Sequence, residues 1–299
     1  MNGPVISLLS ALCFGLSAIF TRRGVLKVSD SSMAVVVSVF LAVPLFGIIL
    51  LCLGQAHEMA AFPIQCYLWL AAAGVVHFIV GRSLYYFGIQ TVGANMANVF
   101  VSSNPFYSVL AGILFFHEPI TWRVVWGSAL TIGGVLVLAW GPKTAGGVQQ
   151  LNHKPFLKGL FAAMGGGLVY GLSPILIKLG LASGGSPLAG TFVSYLAASA
   201  AMLGMLSASR KKRRNFAGMG KETLMWLCLG GFSVGIAQLF RYVALSVSPM
   251  SVVAPLFGTS PLSTIFFSFC INRRLETFTM RVMLGAVSVV AGTVILLGH

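Results

Sequence analysis

The chain has 299 residues, of which 57% are hydrophobic and only 8% are charged, whereas a soluble domain is about one quarter charged. This composition excludes a water-soluble domain. The net charge of +14 could suggest a nucleic-acid partner, but the basic residues are concentrated in alternate connections, which excludes that partner and indicates a membrane orientation signal.

Apolar stretches of about twenty residues recur along the chain, and each can cross a hydrocarbon core of about 30 Å. Because lipid offers the backbone no hydrogen bonds, these lengths predict helices and not a barrel. The first stretch lacks the basic n-region and the cleavage site of a signal peptide, so we expect it to belong to the fold. We predict an all-α integral membrane protein with about ten transmembrane helices, at residues 3–21, 32–53, 65–90, 93–115, 122–140, 156–178, 187–208, 222–246, 249–271 and 278–298.

The odd-numbered connections carry most of the basic residues, whereas the even-numbered ones carry only Arg123 and Lys178. By the positive-inside rule the odd connections are cytoplasmic and both termini lie outside, and we expect a bacterial inner membrane. The run 210–214 suits a cytoplasmic anchor or an anionic-lipid site. The cationic residues of the odd connections are Arg22, Arg23, Lys27, Lys143, Lys154, Lys158, Arg210, Lys211, Lys212, Arg213, Arg214, Lys221, Arg273, Arg274 and Arg281.

An internal repeat divides the chain. The sequence Phe14-Gly15-Leu16-Ser17 recurs 156 positions later as Tyr170-Gly171-Leu172-Ser173. Further pairs follow at nearly the same offset: Ser38 and Ser194, Trp69 and Trp226, Gly74 and Gly231, Tyr85 and Tyr242. We therefore predict a first five-helix repeat at 1–141, a linker at 142–155 and a second repeat at 156–299. Because five is odd, the second repeat enters the membrane inverted, as in many secondary transporters.

Each half also contains a central proline, a turn with glutamate, and two glycines at helical spacing. These are Pro105, Glu118, Gly127 and Gly134, and again Pro261, Glu276, Gly285 and Gly292. On these residues each half resembles the EamA domain of the drug/metabolite transporter superfamily. The resemblance implies a ten-helix carrier for metabolites, often amino acids or related small polar molecules. The charge bias places the termini outside, whereas several relatives are drawn with cytoplasmic termini.

Polar residues on shared helix faces are the candidates for solute binding, because polar side chains within a membrane need a partner or a cavity. The alternative is a structural role, in which these side chains form interhelical hydrogen bonds. Pro105 and Pro261 are predicted helix kinks that free backbone carbonyls. The candidates are Ser17, Arg82, Tyr85, Tyr86, Asn95, Asn98, Ser102, Tyr170, Ser173, Gln238, Arg241 and Tyr242.

Two arginines lie inside apolar segments. Arg82 is roughly 12 Å from its predicted helix end, at about 1.5 Å per residue, so it requires a partner or a water-filled cavity. Arg241 is about half as deep, and snorkelling to the headgroups would accommodate it. His77 is either a proton-coupling residue or a hydrogen-bonded structural one.

The acidic residues all lie in loops or at helix ends: Asp30, Glu58, Glu118, Glu222 and Glu276. Exporters of cationic drugs usually rely on a buried acid, so the pattern disfavours hydrophobic cations. An unpaired Arg82 would suit an anionic or zwitterionic solute. Glu118 is interpreted as a helix cap and not as a catalytic group, because a carboxylate near a helix start satisfies free amides.

The sequence favours a secondary transporter that moves an amino acid or organic acid by alternating access. Drug efflux, a lipid flippase and a passive channel remain alternatives. An intramembrane enzyme is disfavoured, because no Gly-x-Ser-x-Gly or His-Glu-x-x-His spacing occurs. The five cysteines lack CxxC spacing, so we expect no metal site and no cofactor. The expected partners are a small solute and membrane lipid, and a homodimer is left open.

Overall fold

The computed structural model describes residues 3–25, 28, 32–85, 87, 101–139, 153–271 and 280–298, and the secondary structure within these ranges is helical. Thirteen α-helices and one π-helical segment, Val75–Gly81, lie in them. In chain order the α-helices are α1 Gly3–Val25, α2 Ser32–Cys52, α3 Ala56–Ala60, α4 Ile64–Gly74, α5 Asn104–Phe116, α6 Trp122–Ala139, α7 His153–Ala182, α8 Pro187–Ala208, α9 Arg210–Ala217, α10 Lys221–Val247, α11 Met250–Phe257, α12 Ser260–Ile271 and α13 Met280–Leu297.

Six of the described helices are long and apolar enough to cross a membrane by themselves. They run over Gly3–Thr21, Ser32–Cys52, Ile64–Tyr85, Leu157–Ala182, Pro187–Ala208 and Lys221–Val247. Three shorter apolar helices cover Asn104–Phe116, Trp122–Val137 and Met283–Leu297. The predicted segment 93–115 begins outside the described residues, and 249–271 is divided into α11 and α12. The expected total of ten stays a prediction.

Several helices extend beyond the boundaries that hydropathy predicts. α1 continues to Val25 instead of ending at 21, and α7 runs from His153, inside the predicted linker, to Ala182. Hydropathy marks only the part of a helix that contacts hydrocarbon, whereas backbone hydrogen bonding continues through polar residues at the membrane surface. Lys178 does not end α7, because its ammonium is paired with the carboxylate of Glu118.

The third predicted segment changes its hydrogen-bond pattern halfway. α4 ends at Gly74, the π-helical segment follows, and an α-helical stretch then continues to Tyr85. A Cβ atom on Gly74 would lie 2.0 Å from the carbonyl oxygen of Ser194 on α8. Only glycine allows this approach of two backbones, and the π-helical segment begins directly after it. Such insertions re-aim side chains and are frequent at functional sites.

Equivalent helices of the two predicted repeats make equivalent contacts. α1 packs on α10, as α7 packs on α4; α2 packs on α10, as α8 packs on α4. α2 also packs on α8, and α6 on α13. A Cβ atom on Gly134 would lie 2.7 Å from the carbonyl oxygen of Gly285, and one on Gly292 would lie 2.6 Å from that of Gly127. The glycines that mark the repeat therefore lie where α6 and α13 cross.

Candidate solute-binding site

A buried polar network surrounds His77, which the π-helical segment presents to α7 and α10. The imidazole Nδ1 lies 2.8 Å from Oγ of Ser173, and the imidazole Nε2 lies 3.2 Å from the amide nitrogen of Gln238. The Ser173 hydroxyl donates to the carbonyl oxygen of Tyr170 at 3.2 Å. A neutral imidazole with its proton on Nδ1 satisfies all of these bonds. The network favours the structural interpretation of His77 and joins helices from both halves of the chain.

Aromatic rings line one side of this network. The Tyr170 ring centroid lies 4.9 Å from that of His77 and 6.5 Å from that of Tyr85. A Cβ atom on Gly81 would lie 2.7 Å from the Tyr170 ring. Gly81 therefore leaves the space that this ring occupies, and the predicted candidates Tyr85 and Tyr170 come together beside the histidine.

Arg82 follows directly after the π-helical segment and has a partner. Its Nη1 donates to Oγ of Ser38 on α2 at 3.2 Å, and its Cζ lies 5.1 Å from the Phe78 ring centroid. The side chain is half-buried. A hydroxyl from a distant helix therefore gives Arg82 a hydrogen-bond partner of the kind that its depth in the membrane requires. Sequence reasoning placed Ser38 only in the repeat and gave it no role.

Arg241 is the more deeply buried arginine. Only 4% of its surface is exposed, and its Cζ lies 4.6 Å from the Phe257 ring centroid. Phe257 in turn packs edge-on against Phe14 at 5.1 Å between centroids. No hydrogen-bond acceptor or carboxylate contacts this guanidinium among the residues that the structure describes. Arg241 therefore does not snorkel to the headgroups as predicted, because Phe257 at the end of α11 covers it.

Two of the predicted binding residues instead connect helices. Ser17 donates to the carbonyl oxygen of Gly230 at 2.9 Å. The hydroxyl of Tyr242 donates to Oγ of Ser194 at 2.7 Å, and Ser194 donates to the carbonyl oxygen of Leu70 at 2.6 Å. These bonds satisfy buried hydroxyls between packed helices. Their geometry supports a structural role, interhelical hydrogen bonding, for both Ser17 and Tyr242.

The remaining candidates fall around the start of α5 or outside the described ranges. Ser102 lies half-buried in the turn before α5. Pro105 is in the first turn of α5, and Pro261 is in the first turn of α12. Each proline therefore follows an interruption of the helix and does not kink a continuous one. Tyr86, Asn95 and Asn98 lie outside the described residues.

The charge of the site is positive. Within the described ranges the carboxylates are those of Glu58, Glu118 and Glu222, which belong to α3, the α5–α6 connection and the first turn of α10. None of them contacts Arg82 or Arg241. Sequence reasoning missed Phe257, because an aromatic residue within a hydrophobic helix has no distinguishing pattern, and it named Phe14 only in the repeat and on a face of the first helix.

A second charged cluster is centred on Glu118, in the connection between α5 and α6. Its Oε1 accepts from Nζ of Lys178 and, at 2.6 Å, from the amide of Met250, and its Oε2 accepts from the amide of Ser251 at 2.8 Å. Burial opposes ionisation, but the bonds from Lys178, Ser251 and Met250 outweigh it and hold the pKa of Glu118 below its ordinary value of 4.5. The predicted capping role is confirmed, although the capped helix is α11 and not the adjacent α6.

Apolar helices long enough to cross a membrane, with polar side chains gathered between them, define an integral membrane protein. A family model described as the EamA-like transporter family matches residues 1–140 and 157–298. The chain belongs to this family, which is part of the drug/metabolite transporter superfamily. Its members are transporters, in agreement with the expectation that the chain is not an enzyme.

A solved crystal structure, described only as that of a protein, has the same fold. It superposes with a TM-score of 0.77, and the match covers 98% of this chain and 94% of that chain. The two sequences are 16% identical, so the likeness concerns the fold alone. No curated protein matches the chain in sequence.

Proposed function

We propose that the chain is a secondary transporter for a small polar metabolite, an amino acid or an organic acid, and that it works by alternating access between two inverted five-helix repeats. The observation that carries this proposal is the buried network of His77, Ser173 and Gln238. His77 belongs to the first predicted repeat, and the other two residues belong to the second. Polar groups between the halves are where a rocking carrier needs its solute.

The packing pattern supports the inverted repeat. The family model matches once in each half, and helices at equivalent positions make equivalent contacts, as α1 with α10 and α7 with α4 do. A two-fold relation of this kind allows two arrangements in which the halves exchange conformations and the cavity opens to opposite sides. We place the odd-numbered connections in the cytoplasm of a bacterial inner membrane, on the charge bias of the loops.

Counterflow in proteoliposomes tests the proposal. Vesicles preloaded with unlabelled amino acids or small organic acids should take up the labelled compound faster than empty vesicles, and the initial rate should saturate. Arg82→Ala should lower this rate at least tenfold, whereas Lys211→Ala, an exposed cation on α9, should not change it. Flux without saturation or exchange stimulation would instead indicate a channel.

Efflux of hydrophobic cations is the second candidate function, and the charges argue against it. A cation would enter a site that holds Arg82 and Arg241 and, among the described residues, no carboxylate in contact with them. Transport of a labelled lipophilic cation in the same vesicles, with none of the metabolite panel moving, would overturn the proposed solute class.

A further inference from the structure

We infer that Arg241 is the carboxylate-binding residue of this carrier and that Phe257 and Phe14 form the aromatic wall for the apolar part of the same solute. The inference rests on the proposed function and names its solute class as monocarboxylates with an apolar group. Sequence reasoning favoured Arg82 for this role, so the structure reverses the order of the two arginines.

Arg241 is buried away from water. Only 4% of the Arg241 residue is exposed, so its guanidinium has lost most of its water and requires an anion or hydrogen-bond acceptors in return. In the part of the chain that the structure describes, no side chain or carbonyl supplies them. A carboxylate from a solute has the charge and the two oxygens that this group lacks.

The contact with Phe257 leaves the N–H donors of the Arg241 guanidinium available. The Cζ atom of Arg241 lies over the Phe257 ring, at 4.6 Å from the ring centroid. A cation–π contact involves no conventional hydrogen-bond acceptor, so the ring supplies none to the N–H donors of the guanidinium. These donors form a rigid fork that matches a carboxylate bidentately. Phe257 therefore contacts Arg241 without supplying an acceptor for its N–H donors.

Arg82 and Arg241 differ in burial and in hydrogen bonding. Arg82 is half-buried and already donates to Ser38 at 3.2 Å, so part of its donor set is used and water can reach the rest. Arg241 is buried and retains its donors. Of these two cations, Arg241 gains more from an incoming anion, because the attraction between charges strengthens as water is excluded.

The aromatic neighbours of Arg241 suit an apolar group on the solute. Phe257 contacts the guanidinium and packs edge-on against Phe14, so a pair of aromatic rings from α11 and α1 extends from Arg241. Such rings suit an apolar or aromatic group attached to the carboxylate. No carboxylate of the described residues contacts Arg241 or these rings, so these residues supply no anionic partner for an ammonium group.

A pair of probes with the same shape tests the inference. Binding of 3-phenylpropionate and of its neutral amide, 3-phenylpropionamide, is measured by the ligand-induced shift in melting temperature of the purified full chain in detergent. The wild type should bind the carboxylate at least tenfold more tightly than the amide. Arg241→Gln should abolish this preference while affinity for the amide stays within about twofold, and Arg241→Lys should retain a reduced preference.

Further variants keep the test decisive. Arg213→Gln, a matched loss of an exposed arginine on α9, should bind both probes as the wild type does. Phe257→Leu should weaken both probes by a similar factor, because it removes the aromatic wall and keeps the charge. Arg241→Lys decides the question if Arg241→Gln does not fold. An Arg241→Gln protein that still prefers the carboxylate, or a wild type that binds neither probe, would overturn the inference.

The same experiment separates this inference from the proposed function. If counterflow occurs and Arg241→Gln keeps the carboxylate preference, the result supports the carrier function and contradicts the role of Arg241 in binding. If the carboxylate preference depends on Arg241 but no counterflow occurs with any solute, the result supports the binding site and contradicts the carrier function.

Discussion

Glu118 and Arg241 are both buried charges, and their surroundings are opposite. The carboxylate of Glu118 accepts hydrogen bonds from Lys178, Met250 and Ser251. The guanidinium of Arg241 lies over the ring of Phe257 and has no hydrogen-bond acceptor among the described residues. A buried charge with a full set of partners stabilises one arrangement of the helices. A buried charge without them costs stability, and a binding site is a physical reason to retain it.

The largest expected effect is on the paired charge. Glu118→Ala leaves the ammonium of Lys178 and two helix amides without an acceptor, so it should lower the free energy of unfolding by about 3–5 kcal/mol. Denaturant unfolding in detergent micelles measures this loss. Glu58→Ala, which removes a carboxylate from α3, should stay within about 0.5 kcal/mol of the wild type. Equal stability of the two variants would remove the contrast between the buried charges.

Acid should remove part of the same stabilisation. The pKa of Glu118 is lower in the folded protein than in the unfolded chain. Its contribution is therefore complete above the ordinary pKa of 4.5 and is lost as the pH falls through the folded-state value. Melting temperatures of the wild type should fall more steeply below pH 4.5 than those of Glu118→Gln. Parallel curves for the two proteins would show that Glu118 does not titrate with folding.

A smaller effect is expected from crowding the carboxylate. A Cβ atom on Gly112 would lie 2.5 Å from Oε2 of Glu118, so Gly112→Ala must displace this oxygen from the amide of Ser251. We expect a loss of about 1–3 kcal/mol. Gly133→Ala is the matched control, because nothing lies within 4 Å of its Cβ position, and it should be neutral or stabilising by up to about 1 kcal/mol. Thermal unfolding of both variants measures the difference.

The smallest effect on stability, with the opposite sign, is expected for Arg241, which has no hydrogen-bond acceptor among the described residues. Arg241→Met replaces the guanidinium by an apolar group of similar length, so it should leave stability unchanged or raise it by about 1 kcal/mol. The same variant should lose binding of 3-phenylpropionate. A destabilisation as large as that of Glu118→Ala would mean that Arg241 has a structural partner, and the comparison would fail.

Much of the helical framework could be predicted from hydropathy. α8 covers the predicted 187–208, and α2 ends one residue before the predicted boundary. The errors lie where tertiary contacts intervene. Gly74 meets the backbone of α8 where the π-helical segment begins, and a Cβ atom on Gly258, between α11 and α12, would lie 2.8 Å from the ring of Pro105. Hydropathy contains no information on either contact.

The candidate site was predictable by residue type and not by partner. His77, Ser173 and Gln238 were singled out from the sequence, and the structure brings them together. Ser17 and Tyr242 were singled out on the same grounds, but their hydroxyls bond to neighbouring helices. A helical face shows which side chains point in one direction. It does not show which distant helix lies opposite.

The sequence by itself determined the membrane environment, the helical segments, the repeated motif and the family resemblance, because each depends on composition or on spacing along the chain. The tertiary structure decided which charge is satisfied. Lys178 reaches Glu118 across 60 positions, and Phe257, not the headgroup layer, covers Arg241. The stability of a buried charge depends on the few ångströms around it, and those neighbours come from helices that are remote in sequence.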